Sequence, residues 1–184
     1  MDDGFHVEEL NEERIHDFYA LHCDRHDTGW CFCVAWWVPD WDSFAERGAD
    51  ENRAKRERLF EQGQHDGYLL YKGGEVQAWA QVGLRDRLEK LRVSFDLEPD
   101  PEVFALSCIL VRPDMRGQGL ARKLLRGILE RLRERGVPRL QVFPKNHNEL
   151  DALEVWTGPQ NLYLKEGFRL VMAGEVRSVY QIEF

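Results

Sequence analysis

An apolar run over residues 103–111, a turn carrying Gly117 and Gly119, and an amphipathic stretch over 120–134 follow one another directly. That succession constrains the fold more than any other feature. The run is near-continuous in apolar residues and reads as a strand buried on both faces. Leu120, Leu124, Leu125, Ile128, Leu129 and Leu132 recur at helical spacing and mark one buried helix face. A strand, a glycine turn and a helix in that order grip anions. The first helical amides have no partner within the helix, and the helix dipole puts partial positive charge there. Gly117 and Gly119 permit backbone angles that other residues avoid. Arg112, Arg116, Arg122, Lys123 and Arg126 add cationic side chains around the turn. The segment therefore predicts a site for a phosphorylated cofactor.

The spacing narrows the reading. A nucleotide P-loop needs Gly, four residues, then Gly-Lys-Ser/Thr. A dinucleotide fingerprint needs a third glycine where Arg122 stands. Arg116-x-x-Gly119-x-Ala121 fits neither. It resembles the Arg/Gln-x-x-Gly-x-Gly/Ala signature of the GNAT acetyltransferase superfamily. Leu162-Tyr163, followed by Gly167-Phe168, is similar to that family's Leu-Tyr-x-x-x-Gly-Phe element. Physically this second segment is a short helix closed by Gly167 in a left-handed cap.

The resemblance implies a three-layer α/β (α+β) fold. Its mixed, mostly antiparallel sheet has six to seven strands flanked by about four helices. It also implies acetyl-CoA as co-substrate, with no metal, and transfer of acetyl to a primary amine of a small molecule or peptide by direct attack. Carried over by position, Ile109, Leu110 and Val111 hold the pantetheine arm. Leu110 or a neighbour offers its amide to the thioester carbonyl. Arg116, Gly117, Gln118, Gly119, Leu120, Ala121 and Arg122 take the phosphates. Asn161 touches the arm from the other side, and Tyr163 protonates the departing sulfur. A phenol with a reference pKa of about 10 is protonated at neutral pH. A core tyrosine with a local partner is the bland alternative.

Composition sets the outer bounds. The chain has 184 residues, 43% hydrophobic and 32% charged, which predicts a single globular domain. Within it, residues 23–65 form an acceptor-side region, 103–143 the cofactor-binding core and 144–160 an insertion. A formal charge of −8 argues against binding nucleic acid through its backbone. No apolar run reaches membrane-spanning length, and the acidic N-terminus lacks a signal-peptide core. A cytoplasmic location follows as an expectation, and four cysteines read as thiols. A homodimer through edge strands is implied by resemblance alone.

The pattern predicts strands over 5–10, 68–71, 75–82, 140–143, 168–173 and 175–184 besides the central one. Helices are expected over 12–22 and 43–62, and loops over 23–41 and 85–101. Residues 144–159 make a longer connection than the family usually has. Trp156-Thr157-Gly158 within it resembles a GNAT subgroup of undefined substrate. Asn146 competes there with Asn161 as the arm-binding asparagine. For the general base, Ser107 and Cys108 lie near the expected thioester but are poor bases; Glu149, Asp151, Glu154 and His147 could approach the amine, each also readable as surface, and a water chain to a distant carboxylate would also suffice. The aromatic segment Trp30-Cys31-Phe32-Cys33-Val34-Ala35-Trp36-Trp37, with Trp41, is either an apolar acceptor wall or a core plug. Cys23, His26, Cys31 and Cys33 could supply four metal ligands, although Cys-x-Cys spacing suits zinc poorly. Two other functions stay open: an acyl-CoA-binding sensor without catalysis, and a metal-binding regulatory module.

Overall fold

The computed structural model describes residues 4–22, 29–146 and 155–184. Seven strands form one sheet: β1 (Phe5–Glu9), β2 (Tyr68–Lys72), β3 (Glu75–Leu84), β4 (Val103–Val111), β5 (Arg139–Val142), β6 (Arg169–Met172) and β7 (Val179–Glu183). Their order is β1-β2-β3-β4-β5-β7-β6. Every pairing is antiparallel except β4 with β5. The β2–β3 hairpin turns on Gly73 and Gly74, at φ 58° and 81°. A two-residue turn whose twist matches the strands needs such left-handed angles.

Among the described residues, six α-helices cover the sheet: α1 (Ile15–Leu21), α2 (Trp41–Ala45), α3 (Ala49–Glu61), α4 (Glu89–Ser94), α5 (Leu120–Glu134) and α6 (Gln160–Lys165). α5 buries Leu120, Leu124, Leu125, Ile128, Leu129 and Leu132. They join Val7, Leu70, Ala78, Ala80, Leu106 and Ile109 in a core on one sheet face. A second core holds Phe18, Phe32, Cys33, Phe60, Trp79, Cys108 and Leu110 on the other. Sheet between two helical layers is the expected architecture.

Three expectations are corrected. The segment expected as one helix over 43–62 is two, α2 and α3. Gly48 sits extended at φ −89° and ψ 172° between them, and its amide donates to the Glu51 carboxylate at 3.0 Å. The segment expected as a loop over 85–101 contains a 3₁₀ turn (Arg85–Arg87) and α4, because Leu88 and Leu91 bury beneath it. The final strand starts at Val179 rather than 175. Asn146 Nδ2 donates to Gly174 O (2.6 Å) and Glu175 O (3.1 Å), holding those carbonyls out of the ladder.

One feature of the sheet positions everything that follows. β5 pairs with β4 only from Val103↔Arg139 to Leu106↔Val142. β4 runs on to Val111. Residues 107–111 therefore face a gap where the sheet splays open on that side.

Candidate functional site

The gap is the middle of a cavity of about 740 Å³. At one end stand Met115, Arg116, Gly117, Gly119, Leu120 and Ala121. Cys108, Ile109, Leu110 and Val111 line the middle. At the other end lie Trp30, Cys31, Cys33, Ala35, Trp36, Trp41 and Phe44. Val155, Trp156, Gly158, Pro159, Gln160 and Asn161 close the far side. The space thus joins the N-terminus of α5 to the aromatic segment by way of the exposed side of β4.

At the α5 end, a 3₁₀ turn (Pro113–Met115) leads into Gly117 and Gly119, both left-handed at φ 75° and 77°. Nothing lies within 4 Å of where a Cβ would stand on either residue. Their requirement is therefore conformational, and the space above them is open. No side chain caps α5, which leaves its first-turn amides directed at the cavity mouth.

Of the predicted phosphate ligands, Arg116, Gly117, Gly119, Leu120 and Ala121 line the cavity, but Gln118 and Arg122 do not. Gln118 is exposed and donates to Asp114 O at 3.5 Å. Arg122 pairs with Glu166, which Arg126 also holds at 2.9 Å. Despite the opposing effect of burial, these two guanidiniums keep the Glu166 carboxyl below its ordinary value.

Along β4, backbone direction sorts the three predicted arm-binding residues. The Ile109 amide faces the gap but donates to Trp156 O at 2.6 Å. Amides alternate along a strand, so Leu110 turns its amide back to β3 and Val111 faces the gap. The Arg112 amide, one step on, donates to Gln77 O on the β3 side at 3.1 Å, as this alternation requires. The Leu110 amide is therefore committed to the β3 side, and the Val111 amide points into the gap.

The 155–158 turn is held on three sides. Besides the Ile109 bond, Arg177 donates to Thr157 Oγ1 (2.7 Å) and Phe143 O (3.2 Å) and lies over the Trp156 ring at 4.9 Å. Tyr163 Oη donates to Thr157 O at 2.6 Å. Tyr163 is fully buried behind this turn, outside the cavity lining. Burial, with Cys108 nearby, pushes its phenol well above the ordinary range. Asn161 lines the cavity, whereas Asn146 is bonded into the β6–β7 connection.

The aromatic segment is part core and part cavity wall: Phe32 and Val34 are fully buried, while Trp30, Cys31, Cys33, Ala35 and Trp36 line the cavity with Trp41. Trp36, Trp41 and Trp156 meet ring against ring, with centroids 5.0–6.3 Å apart, and Trp30 stacks on Phe44 at 5.2 Å. All five reach the cavity. Behind them, Lys90 sets its ammonium 3.7 Å from the Trp41 ring centre and donates to Asp40 O at 3.2 Å. Burial lowers its pKa to about 8, against the pull of Asp40.

Beneath this wall lies a group that the sequence did not bring together. In the sequence Arg56 stands among charged neighbours within the helix expected over 43–62. It is instead fully buried, donating from Nε to Phe32 O (3.0 Å) and from Nη2 to Cys33 O (2.8 Å) and Gln81 Oε1 (2.9 Å). The signal was available, since Asn52, Arg56, Leu59 and Phe60 share one helix face. Among the base candidates, Ser107 is buried with its hydroxyl unpartnered and outside the lining, while Cys108 is in it. His147, Glu149, Asp151 and Glu154 lie outside the described residues, as do Cys23 and His26 of the metal alternative. Among the described residues, no group of three His, Cys, Asp or Glu side chains is arranged to hold a metal ion.

Comparison with known proteins places this geometry. The family model described as the Acetyltransferase (GNAT) family matches residues 30–157. No curated protein matches. Among solved structures, a GNAT-family acetyltransferase from Listeria monocytogenes aligns with TM-score 0.60 at 17% identity, covering 98% of this chain and 95% of that one. The PaiA N-acetyltransferase from Thermoplasma acidophilum, in complex with coenzyme A, gives 0.58 at 11% over 98% and 99%. yncA from Salmonella typhimurium, with its cofactor acetyl-CoA, gives 0.54 at 17% over 98% and 94%.

Proposed function

The chain belongs to the GNAT acetyltransferase family, and on that premise we propose that it moves acetyl from acetyl-CoA to the primary amine of a small molecule or peptide. The observation that carries this reading is the continuity of the cavity, from an uncapped helix N-terminus, past the open side of β4, to an aromatic wall. The fit to a long phosphorylated thioester is chemical. First-turn amides at Leu120 and Ala121, with Arg116 beside them, suit a pyrophosphate. The Val111 amide and Asn161 suit the polar groups of the arm. Gly117 and Gly119 keep side chains away from both.

At the aromatic end, Trp30, Trp36, Trp41, Phe44 and Trp156 suit an amine carried on an aromatic or aliphatic body. An amine attacks only as the free base. Burial in low-polarity surroundings favours that form, as it does at Lys90 behind the same rings. The wall therefore lightens the work left for a general base.

Tyr163 is proposed as the proton donor to the leaving sulfur. Burial keeps its phenol protonated, and to act it must give up its bond to Thr157 O. Tyr163→Phe should slow thiol release by about 10²–10⁴-fold while leaving the coenzyme A-dependent rise in Tm intact. A second reading, acyl-CoA binding without transfer, draws support from the self-bonded Ile109 amide and that same Thr157 contact. A screen of thiol release against amines, amino acids and peptides separates the two. Transfer predicts acceptor-dependent release with at least one class, and the sensor predicts none.

Two finer points stand on the same footing. The three described cysteines are thiols, which suits a reducing, cytoplasmic setting. Pairing of two copies is supported by β6, a sheet edge whose Leu170 and Val171 are 53% and 51% exposed.

A further inference from the structure

Two separate departures from regular backbone bring the Cys33 and Cys108 sulfurs together. The first is in β4. Opposite the step from Gln81 to Val82, its register jumps from Cys108 to Leu106, so Ser107 is an extra residue in the ladder. A bulge of this kind reverses which face the following side chains occupy. Leu106 lies in the α5-side core, and so does Ile109, three positions on. Cys108 and Leu110 are thereby turned to the opposite face, where Cys33 packs. The second departure is in the aromatic segment. Phe32 and Cys33 are consecutive non-glycine residues in the left-handed region, at φ 42° and 50°, a conformation that side chains adopt only where their surroundings impose it. Arg56 imposes it by holding both of their carbonyls.

The outcome is Cys33 Sγ at 2.8 Å from Cys108 Sγ, with His22 Nε2 3.4 Å from Cys33 Sγ on its other side. His22 Nδ1 donates to Phe18 O, which leaves Nε2 as the acceptor. Both sulfurs border the cavity and so are reachable through it.

We propose that Cys33 and Cys108 form a reversible dithiol site in the cavity floor, which a peroxide oxidises to a disulfide. Closing the bond needs the sulfurs to approach by only about 0.8 Å. Burial holds the Cys33 thiol in its protonated form, so the attack is assigned to Cys108. Its attack on peroxide forms an S–O bond and breaks the O–O bond, and the departing hydroxide takes a proton to become water. Cys33 then attacks the Cys108 sulfenic sulfur. The S–S bond forms, the S–O bond breaks, and a second water leaves with the Cys33 proton. Two thiols and one peroxide give one disulfide and two waters. The bond ties the turn bearing the aromatic wall to the strand beside the open gap.

The proposal goes beyond acetyl transfer and stands without it, because its test needs neither donor nor acceptor. The native full-length protein is treated with stoichiometric hydrogen peroxide, quenched with an alkylating agent and mapped by mass spectrometry. The expected product is two hydrogens lighter, with a peptide linked through Cys33 and Cys108. Alkylation at both positions should fall about tenfold and return with dithiothreitol. Cys108→Ser should leave Cys33 fully alkylatable. If that variant misfolds, the wild-type map alone decides. A Cys31–Cys33 link, separate sulfinic acids at the two positions, or thiols that stay fully alkylatable would each overturn the assignment.

Discussion

Gly158 and Tyr163 show how tightly single residues are set around the cavity. A Cβ on Gly158 would stand 2.3 Å from Tyr163 Oη, and the residue also sits at φ 79°. Gly158→Ala must therefore displace either the ring or the turn, at an expected cost of about 1–3 kcal/mol, read from urea unfolding. Tyr163→Phe removes the crowded atom, so the same substitution should cost less in that background, and equal costs would show that the contact is not what requires glycine. His22 makes a pH prediction. Burial lowers its pKa to about 3 from 6.5, and the neighbouring Arg56 cation adds to this against the Phe18 bond. The folded value lies below the unfolded one, so as pH falls the unfolded chain takes the proton first. His22 thus contributes stability that is complete above about pH 6.5 and is lost progressively toward pH 3. By NMR its ring should show no titration between pH 8 and 5; a midpoint near 6.5 would contradict its burial.

At the scale of elements, α5 reads almost directly from sequence, because six buried aliphatics repeat at helical spacing over four turns and glycine bounds it at both ends. Gly119 starts it, and Gly136, at φ 67°, closes it with the Val137 amide bonded to Leu132 O. Gly127 within it shows how closely it packs. A Cβ there would meet Val7 Cγ2 at 2.4 Å. Gly127→Ala would gain about 1 kcal/mol in helix propensity and lose about 1–3 kcal/mol to overpacking against β1. Net destabilisation is expected, with relief when Val7→Ala is added. At the other end of its function, Gly119→Glu should abolish the coenzyme A-dependent rise in Tm, since the open space above that residue would be filled. A retained shift would remove the phosphate site from the α5 N-terminus. α4 was illegible for a complementary reason. Six residues with one fully buried leucine make no periodic signal, and only contact with Trp36, Ala105 and Phe143 stabilises it. The break at Gly48 was similarly hidden among charged residues that continue the helical composition on both sides.

Across the whole molecule, the sheet leaves β6 at one edge with Leu170, Val171 and Met172 exposed, and Val176 joins them. An uncovered apolar edge strand associates unless something blocks it. Sedimentation should therefore show self-association at micromolar concentration, weakened by Val171→Lys; a monomer at all concentrations would exclude this edge as a pairing surface.

The sequence by itself determined what is local: the strand, turn and helix that shape the anion-binding corner, the glycine caps, the hairpin and the family. These depend on backbone angles and on hydrophobic spacing within about a dozen residues. Tertiary structure alone decided which distant groups meet. A one-residue bulge sends Cys108 to the face where Cys33 waits, 75 residues away along the chain. A carbonyl from the 155–158 turn takes the Ile109 amide, and Arg56 leaves the surface to hold a strained turn. Each depends on register and packing between segments that share no local pattern, and so becomes visible only once the sheet is assembled.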